Sequence, residues 1–501
     1  MSTPLVPAPA LRADPATTRS HHRVLHQADA RHWTSAVAAG AGRARASLRA
    51  VPDAELDALA ARGVDWLYLL GVWRTGPAGR VAARVDPGLR RAYRQALPDL
   101  TEDDVVGSPF AVAGMEVHPD LGGDAALADL RRRLHDRGVG LVVDLVPNHV
   151  ALDHPWVTER PDLVRTGTRA DARREPGGWV RRGAHVVAHG RDPALPPWRD
   201  TAQLDLAAEG YPPALVGMFD AAAERADGVR IDMAMLLLPE VVRRTWGEAD
   251  PAPVWPAVLD EVRRRHPDLL TIAEVYWDLE ARLLDEGVDL AYDKPLRDAL
   301  LRGDAAGVRQ RLLLPPALQE RLVRFVENHD EVRVAAAVPA ERLAAVTTVA
   351  LLSPGLAFVQ RGQREGARVR TPVQLRRAPT EPVDEAVVAL HDALAGATRH
   401  VAVRDGVFAL LDHDGPTGLL VWTWRHAGAV VLVAVALDGP GRGSVRLPAP
   451  AAPETRSLVS TGDGTLEVSG TEVRVDLAAG AVRVVALDVP DLDRPDPDRP
   501  A

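Results

Sequence analysis

Residues 124–150 read DAALADLRRRLHDRGVGLVVDLVPNHV. The first half has helical spacing and closes on Gly138, a residue suited to ending a helix. The second half is a nearly unbroken apolar run that turns polar at Asp144, Asn148 and His149. A strand that is apolar on both faces lies in a parallel sheet covered by helices. The polar residues at its end therefore need a separate reason.

The same unit recurs in both directions. Helical DAELDALAARG (53–63) precedes VDWLYLLGVW (64–73), and PPALVGMFDAAAERAD (212–227) precedes GVRIDMAM (228–235). WPAVLDEVRRRHP (255–267) precedes LLTIAEVYW (269–277), and AERLAAVTTVALLSP (340–354) precedes GLAFVQRGQ (355–363). RLVRFVENHD (321–330) follows a mixed segment. Six or seven such units between about residues 60 and 400 favour a closed (β/α)8 barrel over an open doubly wound sheet. No GxGxxG turn follows the first apolar run, which weighs against a dinucleotide fold.

Two segments break the rhythm. Residues 151–206 are rich in Arg, Gly, Pro and Trp, show no clear helix, and form an irregular excursion after strand 3. After about residue 400 the helices stop, and strand-like runs between Gly turns predict a C-terminal antiparallel β-sandwich over 401–488. The expected division is a tail over 1–20, a barrel over 21–400, the sandwich, and a Pro/Asp-rich tail over 489–501, both tails read as disordered.

Bulk composition narrows the function. A chain of 501 residues with 46% hydrophobic content can bury a large core. The net charge is −9 and there is no basic run, so nucleic acid is not an expected partner. There is no cysteine, which removes disulfides, thiolate chemistry and Cys-ligated zinc. No 18-residue apolar stretch predicts a membrane span, and residues 1–23 contain no apolar signal core, so the expected location is cytoplasmic.

In a parallel barrel, active sites form at the carboxyl ends of the strands. Four apolar runs end in polar residues there: Asp144, Asn148 and His149; Arg230 and Asp232; Glu274; and Glu327, Asn328, His329 and Asp330. Arg230 and Asp232, two apart on a strand, share a face, and the guanidinium favours the ionised carboxylate a nucleophile requires. Glu274, between Ile272, Ala273, Val275, Tyr276 and Trp277, has the apolar setting that suits a proton donor. Taken singly, each has a plainer reading: a loop-tying Asp144, a core His149, a buried Arg230–Asp232 pair, a helix-capping Glu274, a solvated loop at 327–330. Taken together they do not. Two like charges at about 4 Å repel by roughly 4 kcal/mol at an effective dielectric of 20. Sugar hydrolysis uses such paired carboxyls.

These segments, in order, resemble the α-amylase family, glycoside hydrolase family 13. DLVPNH (144–149), GVRIDMAM (228–235), AEVYW (273–277) and FVENHD (325–330) are similar to its four signatures, and residues 107–123 and 354–366 to its loop after strand two and its strand eight. The resemblance covers roughly residues 55–488. It implies a retaining hydrolase of α-linked glucans or oligosaccharides, with a covalent glycosyl–enzyme intermediate. It would make Asp232 the nucleophile, Glu274 the general acid/base and Asp330 the transition-state stabiliser. His149, Arg230 and His329 would bind the sugar, with Asp144 in support. Tyr276, Trp277 and Trp73 are candidates for sugar stacking. A transglycosylase or sugar isomerase on the same site, and a non-catalytic sugar-binding barrel, are the alternatives.

The chain departs from the family pattern in three places. Met235 and Leu236 replace a Lys-His pair that binds substrate and helps a calcium site. No cofactor is therefore expected; calcium is the alternative, with Asn148 read as a structural amide before a calcium ligand. Gly114-Met115 replaces an Asp-Tyr pair that supplies a platform for the sugar. The first strand is assigned to HHRVLHQA (21–28). Phe408, Trp422 and Trp424 in the β-domain read as structural before starch-binding.

Overall fold

In a computed structural model of the chain, residues 22–248, 251–452 and 454–489 are described. The two tail assignments lie outside them, apart from Val489. Eight strands close a barrel: β1 (Arg23–Asp29), β2 (Trp66–Leu70), β3 (Gly140–Leu145), β4 (Gly228–Ile231), β5 (Leu270–Ala273), β6 (Leu290–Tyr292), β7 (Leu322–Arg324) and β8 (Leu356–Gln360). Each pairs in parallel with its sequence neighbours, and β8 pairs back onto β1. The β1 assignment from sequence holds. Strand β6 escaped sequence reading because it is three residues long and runs straight into Asp293.

Helices cover the barrel, among them Gly123–His135, Tyr211–Ala223, Trp255–Arg265 and Ala340–Leu352. Each buries an apolar face, such as Leu127, Leu130 and Leu134 in the first. Inside, Tyr292, Phe325 and Phe358 form an aromatic plug with ring centroids 5.2–5.9 Å apart. The barrel is thus packed below its mouth, as such barrels are.

Two insertions build walls above the mouth. After β2 come helices Pro77–Val85 and Pro87–Ala96 and the strand pair Trp73–Thr75 and Val112–Val117, the last within the segment 107–123 that the sequence reads as a loop. The excursion after β3 has a three-stranded antiparallel sheet and two short helices, Trp156–Glu159 and Arg169–Arg174. Those helices correct the expectation of none; at four and six residues they are too short to show a helical period. The excursion is tied at its base by His149–Ala151 pairing with Thr201–Gln203.

The C-terminal strands are β9 (Val407–Leu410), β10 (Leu419–His426), β11 (Ala429–Ala436), β12 (Gly441–Arg446), β13 (Thr455–Thr461), β14 (Gly464–Ser469), β15 (Glu472–Leu477) and β16 (Val482–Asp488). They form a five-stranded sheet ordered β9-β10-β11-β16-β13 and a three-stranded sheet ordered β12-β15-β14, with Leu419, Val421, Leu432, Val473 and Val475 in the core between them. The outer face of the larger sheet packs on the barrel. Trp422 and Trp424, two apart and so on one face of β10, both donate their indole N–H to the Leu352 carbonyl, at 3.0 and 2.8 Å. Both are fully buried. Their role is docking.

Candidate active site

The barrel register sets the site. Arg230 on β4 lies beside Asp144 on β3 and Ile272 on β5. Each ladder then continues one residue beyond its strand. The Asp232 N–H donates to the Leu145 carbonyl at 2.8 Å, and the Glu274 N–H to the Ile231 carbonyl at 3.0 Å. Three carboxylates from three strands therefore reach one level.

Arg230 joins them. Its Nη1 donates to Asp232 Oδ1 at 2.7 Å and lies 3.5 Å from Asp144 Oδ1. Its Nη2 lies 2.7 Å from Glu274 Oε2. All four side chains are buried. The chain turns sharply after Asp232, with Met233 at φ 43°. A left-handed backbone is costly for a side chain of this kind. Here it aims the Met233 N–H at Glu274 Oε2, 2.8 Å away. The Tyr276 hydroxyl donates to Glu274 Oε1 at 2.7 Å. Glu274 is therefore not in the apolar setting its neighbours in sequence suggest; two oxygens meet three polar partners.

Asp144 is held from beneath. Its oxygens accept from the Tyr68 hydroxyl at 2.5 Å and the Gly71 N–H at 2.7 Å. Gly71 has φ +77°, and a Cβ there would meet Pro109 Cβ at 2.8 Å, so the position requires glycine. Trp73 is 1% exposed and donates its indole N–H to the Asp144 carbonyl. It supports the site from within and is not a stacking surface for a sugar.

The β7 end completes the mouth. His329 Nε2 lies 3.0 Å from Asp330 Oδ2, and its Nδ1 is 2.9 Å from Gln27 Nε2. Asp330 is the one acid of the trio open to solvent, with a half-exposed side chain. Glu327 and Asn328 tie the loop, as the sequence suggests: Glu327 accepts from Arg333 and the Val334 N–H, and Asn328 from the N–H groups of Asp330 and Glu331. His149, also buried, has its ring 5.0 Å from that of Trp198. Arg230 Nε, Asn328 Nδ2 and Gln27 Oε1 are buried without a hydrogen-bond partner among the described residues. Such groups suit a ligand rich in hydroxyls.

Three contributors escaped sequence reading. Phe110 stacks on His329 at 5.4 Å and has the Arg230 guanidinium 5.3 Å from its ring centre. Met115, at the position of the family's platform residue, packs against the barrel core. Gln27, polar at the end of apolar β1, obeys the rule that found the others. Trp198 has no such signal. Tyr276 is at the site through its hydroxyl. Trp277 is 38% exposed, with Arg244 5.7 Å from its ring centre.

Burial raises the Asp232 pKa to about 7; Arg230 opposes this, and the charges of Glu274 and Asp144 add to it. The arginine alone does not keep this acid strongly ionised, as its spacing from Asp232 suggested. Burial also raises Asp144. At Asp330 the surroundings disfavour charge, but His329 and Arg230 outweigh them and hold it at about 2. For His329 burial works downward, and Asp330 more than reverses it. His149, buried without a carboxylate partner, falls to about 4 and is neutral at pH 7.

Asn148, the residue open to a calcium reading, is engaged by another side chain. The Asn148 amide oxygen accepts from Gln203 Nε2 at 2.9 Å while its own Nδ2 donates to Gln203 Oε1. Met235 and Leu236 are buried in the turn after β4. Among the described residues no three His, Cys, Asp or Glu side chains are grouped to hold a metal. None of their helices is long and apolar enough to cross a membrane.

By sequence, no family model and no curated protein matches the chain. By structure it is similar to a noncanonic maltogenic α-amylase from Thermotoga neapolitana, with a TM-score of 0.65, 16% identity and coverage of 93% of this chain and 99% of that one. An α-amylase from Lactobacillus plantarum gives 0.63 and 19%, covering 93% and 98%. A debranching enzyme from Nostoc punctiforme gives 0.67 and 15%, with the same coverage. The chain shares its fold with these enzymes: a (β/α)8 barrel with a C-terminal β-sandwich, here with an excursion after β3.

Proposed function

We propose that the protein is a retaining glycoside hydrolase acting on α-linked glucans or oligosaccharides. The observation that carries this reading is the contact of one guanidinium, Arg230, with Asp144, Asp232 and Glu274 at the ends of three successive strands. A fold has little use for three buried acids around one base, since their repulsion and desolvation are only partly offset. Sugar chemistry uses that arrangement.

Asp232 attacks the anomeric carbon and forms an ester to the sugar as the glycosidic bond breaks. Glu274 gives its proton to the departing oxygen, then takes one from the incoming water that breaks the ester. The carboxyl must first be protonated, and its Arg230, Met233 and Tyr276 contacts rearrange as it gains the proton. The half-exposed Asp330, held anionic by His329, stabilises positive charge at the sugar ring. His149, neutral, and His329 bind hydroxyls, and Phe110 offers a ring face.

The test is turnover of p-nitrophenyl α-glycosides and malto-oligosaccharides, with Asp232→Asn as control. Wild-type turnover well above the control supports a hydrolase. Binding of malto-oligosaccharide with no turnover above it would make the barrel a sugar-binding protein instead.

A further inference from the structure

A second cavity, of about 270 Å3, lies among the loops that follow β1, β2 and β8. Its walls include Arg31, Arg45, Arg80 and Arg376, with hydroxyls from Ser35 and Thr75. Four guanidinium groups face one carboxylate in the lining, that of Asp120.

The partners of these arginines show how much charge is unspent. Arg45 takes Asp120, at 3.0 Å in an exposed pair. Arg80 reaches Asp103 at 3.6 Å and donates to the Val105 carbonyl. Arg31 is 7% exposed and bonds only to neutral oxygens, the Gly107 carbonyl at 2.7 Å and Thr75 Oγ1 at 3.0 Å. No carboxylate lies within ion-pairing distance of it among the described residues. Asp29 and Asp120 offset its charge only from farther off, and burial still lowers its pKa; a buried cation so weakly paired is expensive. The Arg376 guanidinium has no hydrogen-bond or ionic partner among the described residues. His118 Nδ1 accepts from the Asp120 N–H, which leaves its other nitrogen as the donor.

We propose that this cavity binds a small phosphate-bearing molecule, with Arg31 and Arg376 as its principal anchors. Guanidinium forks match phosphate oxygens in charge and geometry. Ser35 and Thr75 can serve an ester's hydroxyls. The volume lies just below the roughly 300–1,000 Å3 of drug-sized pockets, which suits a single phosphorylated sugar or free phosphate. The cavity and the proposed active site lie at either side of one strand end: Gln27 of β1 lies 2.9 Å from His329, and Arg31 stands on the helix Ala30–Gly40 that follows β1.

Calorimetric titration of the full chain with inorganic phosphate, and separately with glucose 1-phosphate, tests this. Saturable binding is expected. Arg376→Ala should weaken it about tenfold, the usual scale for a charge-assisted bond. Because that guanidinium has no hydrogen-bond or ionic partner among the described residues, the variant should keep its fold; Arg31→Gln should weaken binding further. Tighter binding of glucose 1-phosphate would identify a sugar phosphate, and equal binding free phosphate. No saturable binding of either at millimolar concentration overturns the proposal. So does binding that both variants leave unchanged.

Discussion

Arg230 and Glu274 touch through Nη2 and Oε2 at 2.7 Å, while the other terminal nitrogen of the same guanidinium lies 2.7 Å from Asp232. The two acids proposed to share one reaction are thus fixed relative to each other by a single rigid fork. Replacing Arg230 with methionine leaves three buried acids without their base. Stability should fall by about 3–5 kcal/mol, the range for breaking a buried ion pair. Denaturant unfolding measures it, and glycosidase activity should be lost in the same variant. A change under 1 kcal/mol would mean the acids do not depend on Arg230.

Asp232 sets the pH dependence. Attack needs its anion, and the group titrates near 7. The value of kcat/KM should therefore rise with pH through about 7. A profile flat between pH 5 and 8 would contradict this.

The same group links pH to stability. Its folded pKa of about 7 exceeds the unfolded value of about 3.9. The unfolded chain therefore releases its proton first, and stability is lost as pH rises from about 4 through 7. Asp232→Asn removes that loss. It should be inactive yet more stable than the wild type at pH 8, by about 1–4 kcal/mol, and nearly equal to it at pH 4. Thermal unfolding at the two pH values decides.

Support beneath the site is separable from chemistry within it. Tyr68→Phe removes one bond to Asp144 and leaves the buried carboxylate under-bonded, at about 1–3 kcal/mol. Gly71→Ala should cost more, because it adds both a strained φ and a collision with Pro109. Both should lower kcat while substrate affinity changes little.

Trp422 and Trp424 share one acceptor, the Leu352 carbonyl. Either indole can satisfy it alone, so each Trp→Phe change should be mild. The double change leaves the carbonyl unpaired. It should destabilise by about 1–3 kcal/mol more than the singles sum to, measured by a double-mutant cycle.

Much of this architecture is legible in one dimension because each strand is apolar along its length and each barrel helix has a face. The polar ends at 144, 230–232, 274 and 327–330 mark the mouth for the same reason. What stays hidden is of another kind. β6 is too short to show a period. The walls after β2 and β3 follow no repeating pattern, so Trp198 over His149 cannot be read from its neighbours. Trp73 looks like a surface aromatic until its indole is seen bonded to Asp144. The pKa of Asp232 depends on Glu274, 42 positions away in the chain but on the same guanidinium, and spacing from Arg230 alone gives the wrong direction.

A 5-fluoro-α-glucosyl fluoride forms the glycosyl ester quickly and releases it slowly. Incubation followed by peptide mass spectrometry should find one added sugar on the segment that carries Asp232, and none in Asp232→Asn. An adduct on Glu274 or Asp330, or release of fluoride with no adduct on any residue, would contradict the account.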